Sequence, residues 1–164
     1  MKTIYLVLLT VLFAGSAEAQ MKNWTLIGVE RNKEFIVSTN KKELLKKINN
    51  NFDSDYNKLN IASGYTIGEK KEKYYYLEII SSDTGSRLVR WLTHKDGKFY
   101  FETTGHGDVS HLDFYTTCEG EGNCQPNLVS FNNELNWICG DGAAGSGDAK
   151  RNCKKEISTL DGTF

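Results

Sequence analysis

The residues with most chemical potential lie together in Gly105-His106-Gly107-Asp108-Val109-Ser110-His111-Leu112-Asp113. His106, Asp108, His111 and Asp113 are imidazoles and carboxylates, the ligand types that zinc and related ions use. The spacing His106-x4-His111 differs from H-E-x-x-H, which sets both rings on one helical face. The interspersed glycines predict a loop, where spacing constrains geometry little. Ser110 adds the components of a Ser/His/Asp set, but they crowd one loop, and no G-x-S-x-G elbow occurs in the chain. This segment is the alternative centre: a metal-binding protein or a metal-dependent hydrolase.

A second constellation is aromatic. Tyr74, Tyr76, Trp91 and Tyr100 fall on one parity of three neighbouring runs rich in aromatic and β-branched residues. Rings with apolar bodies and polar tips suit interfaces. These four residues are the expected binding surface, on a sheet face left open. The competing expectation is a sheet whose two faces are both covered.

Cys118, Cys124, Cys139 and Cys153 are the only cysteines and lie in the last third of the chain. Their spacing, C-x5-C-x14-C-x13-C, lacks both the tight knuckles of a zinc site and the C-x-x-C of a redox motif. Two disulfides are expected. Four cysteines allow three pairings, and sequence nearness favours Cys118–Cys124 with Cys139–Cys153. Closing a loop of about 15 residues is worth about 3 kcal/mol.

Between the last two cysteines, Gly140-Asp141-Gly142-Ala143-Ala144-Gly145 spells G-x-G-x-x-G. A dinucleotide site needs a strand before it, a helix after it and an acidic residue about 20 positions on. Antiparallel hairpins do not supply that unit, so a flexible loop is expected. Asp141 and Asp148 lack the EF-hand pattern. The lysine clusters Lys41, Lys42, Lys46, Lys47 and Lys70, Lys71, Lys73 read as solvated surface. With a net charge of −1, the chain lacks the basic bias of nucleic-acid binders. No cofactor is implied.

These residues require a scaffold, and the chain starts with an address. Residues 1–19 read as a signal peptide: Lys2, an apolar run over Ile4–Ala14, then Ala17-Glu18-Ala19 before Gln20. The run is shorter than the roughly 20 apolar residues a bilayer span needs. The expectation is a secreted or periplasmic protein with no membrane anchor after signal cleavage. Residues 20–164 suit one domain, with 105–164 as a Cys/Gly-rich extension. Asn23-Trp24-Thr25 is a glycosylation sequon.

The expected fold is α+β: a single antiparallel β-sheet, a meander, packed against one amphipathic helix, with a disulfide-stapled Gly-rich C-terminal segment. Trp24–Val29 and Phe35–Val37 read as a hairpin. Asn40 caps a helix over Lys41–Phe52, with Leu44, Leu45, Ile48 and Phe52 at helical spacing. Gly64–Gly68 reads as the start of a strand. Tyr74–Ile80, Leu88–Thr93 and Lys98–Glu102 are strands divided by turn clusters, one of them Asp96-Gly97. Alternation sets Tyr75, Leu77, Ile79, Leu88, Leu92, Phe99 and Phe101 on one face. Tyr74, Tyr76, Val89, Trp91 and Tyr100 take the other. Asn136–Cys139 is one more short strand. With no complete catalytic set, the functional expectation is a non-catalytic module that binds an extracellular protein or glycan.

Overall fold

The computed structural model describes residues 23–103, 114–120, 124–132, 134–140 and 153–159. Their architecture is mostly antiparallel sheet with one helix. Strand β1 (Asn23–Arg31) turns into β2 (Glu34–Val37) through Asn32 and Lys33. Both turn residues have positive φ, 51° and 67°, which suits the right-handed twist of a two-residue hairpin. Helix α1 (Lys41–Phe52) follows. The Asn40 side chain accepts from the Glu43 N–H at 3.4 Å, and Asp53 ends the helix in the left-handed region. Asn49 then clamps the exit, accepting from the Tyr56 N–H at 2.9 Å and donating to the Tyr56 carbonyl at 3.0 Å.

Strands β3 (Lys58–Tyr65), β5 (Lys73–Ile80), β6 (Arg87–Lys95) and β7 (Lys98–Thr103) continue the main sheet. The short β4 (Ile67–Gly68) lies between β3 and β5 in the chain. Strands β5, β6 and β7 are the expected meander. The Asp96-Gly97 turn joins the last two with φ of 51° and 70°. β1 pairs with the outer side of this meander through β7, and β3 pairs with β5. β2 lies against β3, so the sheet curls around its core. β6 changes partner along its length: Thr93–Lys95 pair with β7, and Arg87–Arg90 with β8 (Phe114–Glu119). β11 (Lys154–Thr159) completes the eight-stranded sheet beyond β8.

The inner face carries the main core. Leu77, Ile79, Leu88, Leu92, Phe99 and Phe101 are buried there with Leu44 and Ile48 of the helix. The face assignment made by alternation therefore holds for these residues. A bulge in β1 opposes Ile27 and Gly28 to Phe99. Gly28 is required by close approach: a Cβ there would stand 2.3 Å from Ile61 Cδ1 and 2.5 Å from the Ile36 carbonyl oxygen. Buried Arg90 lies over the Phe101 and Tyr115 rings at 4.1 and 5.0 Å, and it donates to the Tyr115 hydroxyl at 3.3 Å.

A second layer covers part of the outer face. β9 (Pro126–Phe131) and β10 (Glu134–Cys139) form a hairpin, and β4 pairs with β9 in parallel. Pro126 stands at the first residue of its strand, where its missing N–H costs least. Leu128 and Trp137 from this hairpin bury Tyr74 and Val89.

The tail is more regular than its composition suggests. It carries β8, β9, β10 and β11, where one short strand is expected. The cysteine pairing also differs from the expectation. Cys118 joins Cys139 and Cys124 joins Cys153, with Cα separations of 5.5 and 5.6 Å. Nearness along the chain governs closure of an unfolded loop, whereas folded strand packing governs which sulfurs meet. Cys118 on β8 and Cys139 at the end of β10 meet where the second layer rests on the main sheet. Cys124 and Cys153 lie just before β9 and β11.

Candidate functional site

The four aromatics expected on one open face separate into two environments. Tyr74 is only 3% exposed. Its hydroxyl accepts from the Leu128 N–H at 3.3 Å, and its ring meets the Trp137 ring edge-on at 5.6 Å. Burial raises its pKa, and the Leu128 N–H opposes the shift. Tyr76 and Trp91 are half-buried beside it under the β9–β10 hairpin. Burial, with help from Glu78 and Tyr74, pushes the Tyr76 hydroxyl up to about 12. The expectation of a shared open face is thus corrected for Tyr74. Its physical cause is a covering strand pair that brings Leu128 and Trp137 onto the aromatic row.

Tyr100 stands apart, half-buried on a stretch of the same face that the described β9–β10 hairpin does not cover. It is paired in register with Leu26, and Trp24 is paired with Glu102. The Trp24 and Tyr100 rings lie 5.2 Å apart with planes inclined by 49°. Trp24, Leu26 and Ile36 are 38%, 41% and 42% exposed, and half-buried Val29 stands opposite Ile36. Lys95 extends its ammonium to 5.0 Å from the Trp24 ring centre. Glu102, by contrast, is buried and accepts from the Thr93 hydroxyl at 3.1 Å. The result is an aromatic and aliphatic corner with the Lys95 ammonium over one ring and a buried carboxylate on the same face.

Sequence reasoning missed Trp24, Leu26 and Ile36 as surface residues. A signal for two of them is present: Trp24 and Leu26 share a parity in β1, opposite to the buried side. The bulge that follows interrupts this alternation, so the pattern cannot be extended to Val29 by counting in twos.

His106, Asp108, His111 and Asp113 lie outside the described residues, as does nearly all of the Gly140–Asp148 loop. Among the described residues, no group of three or more His, Cys, Asp or Glu side chains could hold a metal ion. His94, in β6, has its Nε2 3.1 Å from Glu30 Oε2. Its ring packs against those of Tyr75 and Phe99, at 4.6 and 4.7 Å, and these two are themselves 5.3 Å apart. This arrangement closes one end of the inner core with an aromatic stack and a polar contact.

Comparison with protein-family models, with curated proteins and with solved structures found no match.

Proposed function

We propose that this protein is exported and acts outside the cytoplasm as a non-catalytic module that binds a protein or a glycan. The observation that carries this reading is the Trp24–Leu26–Ile36–Tyr100 corner. It offers large apolar groups to solvent on a rigid sheet beside a region whose aromatics are covered. Interfaces concentrate their binding energy in Trp and Tyr anchors surrounded by a polar rim. Two disulfides are compatible with an oxidising compartment. The leader-like residues 1–19 favour the same compartment, so purified exported protein is expected to begin at Gln20 by mass spectrometry.

The test compares the native protein with Trp24→Ala and Leu26→Ala. Each is probed on a glycan array and in cross-linking within the extracellular fluid of the producing cells. Binding is expected to fall at least tenfold in both variants, with melting temperatures close to the parent. A Trp91→Ala control should act differently, because it removes packing beneath the hairpin and lowers stability. Unchanged binding in both corner variants would refute this assignment of the surface.

A further inference from the structure

Two lysines stand beside the aromatic corner. Lys95 and Lys98 are direct cross-strand partners at the closed end of the β6–β7 hairpin. Directly opposed residues share a face, and like charges so placed are destabilising. Both side chains are exposed. Lys95 reaches over Trp24, while Lys98 lies two residues before Tyr100 and opposite Val29. Asp96, in the intervening turn, offsets one of these charges. Arg31 and Glu34 oppose one another on β1 and β2 and cancel. Glu102, the partner of Trp24 on this face, is buried and accepts from the Thr93 hydroxyl, so it is not itself exposed to a ligand. An anion at this end of the hairpin would therefore be attracted by two exposed ammonium groups on the face that carries the rings.

We propose that the Trp24–Tyr100 corner binds an anionic polysaccharide. The inclined rings receive the apolar C–H faces of sugars, and Lys95 with Lys98 receives a carboxylate or sulfate group. A polymer of acidic sugars presents both features repeatedly along one chain, which matches rings and cations set side by side. The inference rests on the binding-module reading and narrows its ligand.

The experiment titrates the full exported protein with polygalacturonate, dextran sulfate and uncharged dextran. Binding to at least one anionic polymer is expected, with none to dextran. Lys95→Glu/Lys98→Glu and Trp24→Ala should each weaken it at least tenfold. The charge-reversal pair alters only exposed side chains and keeps the test valid if Trp24→Ala misfolds. Raising salt from 0.15 to about 1 M should also weaken binding, because exposed charges are then screened within about 3 Å.

Anionic-polymer binding that ignores Trp24→Ala in a folded variant would reduce the effect to bulk charge and overturn the proposal. Trp24-dependent binding to uncharged dextran would overturn the anionic assignment while supporting the binding-module reading. Failure of all three polymers would also overturn the assignment. Cross-linking to an extracellular protein, lost in Trp24→Ala, would then show that the module reading survives without it.

Discussion

Tyr74 illustrates how one hydroxyl can decide what a residue does. Its parity assigns it to the outer face, yet its oxygen serves the Leu128 N–H and its ring fills the space beneath Trp137. Tyr74→Phe is expected to leave that N–H without its acceptor and to cost about 1–3 kcal/mol in chemical denaturation. Tyrosines also set an alkaline limit. Burial pushes the Tyr115 hydroxyl up to about 12, with Arg90 pulling it partly back, and Tyr76 rises to about 12. An unfolded tyrosine ionises near 10. The stabilisation from keeping these hydroxyls protonated is complete below about pH 10 and is lost as pH rises towards 12. Denaturation midpoints should fall across that window, and Tyr115→Phe should flatten the decline. A midpoint constant from pH 9 to 12 would contradict the assignment.

At the scale of elements, legibility followed periodicity. Helix α1 was readable because Leu44, Leu45, Ile48 and Phe52 recur at helical spacing behind a good cap, and its observed bounds are Lys41–Phe52. Asn40→Ala should cost about 1 kcal/mol, and Ile48→Ala about 2–5 kcal/mol, both measurable by urea unfolding. If Ile48→Ala were silent, the helix would not be seated on the core as described. Strands β5, β6 and β7 were readable because apolar residues alternate and Asp96-Gly97 supplies the turn. Gly64–Gly68, expected to begin a strand, instead spans the end of β3 and the short β4; the body of β3 was not legible, since Lys58 to Ala62 has just Leu59 and Ile61 as large apolar residues. β8 and β11 are rich in threonine, lysine and glutamate. Such segments become strands because β5, β6 and β8 offer complementary hydrogen-bonding edges, which composition does not record.

At the scale of the whole molecule, the disulfides bind one layer to another. Cys118–Cys139 holds the β9–β10 hairpin against the main sheet, and it closes a sequence separation of 21 residues. Peptide mapping without reduction should recover Cys118–Cys139 and Cys124–Cys153. Replacing Cys118 and Cys139 by serine should lower stability by about 3–4 kcal/mol on the chain-entropy model. It should also increase amide exchange in β9 and β10 before β5 and β6. Exchange that rises first in the main sheet would contradict this layering. The sequence alone determined the inner-facing rows of β5, β6 and β7, where the helix begins and ends, and that all four cysteines belong to the tail, but not the core residues Ile27, Tyr56, Leu59, Ile61 and Tyr115. These properties depend on local spacing and side-chain type. Tertiary structure decided the cysteine partners and which part of the outer face is covered. It also separated Tyr74 from Tyr100, leaving Trp24 and Tyr100 outside the cover of the β9–β10 hairpin. Those outcomes arise from packing between segments distant in the chain, where strand pairing and shape complementarity outweigh proximity in sequence.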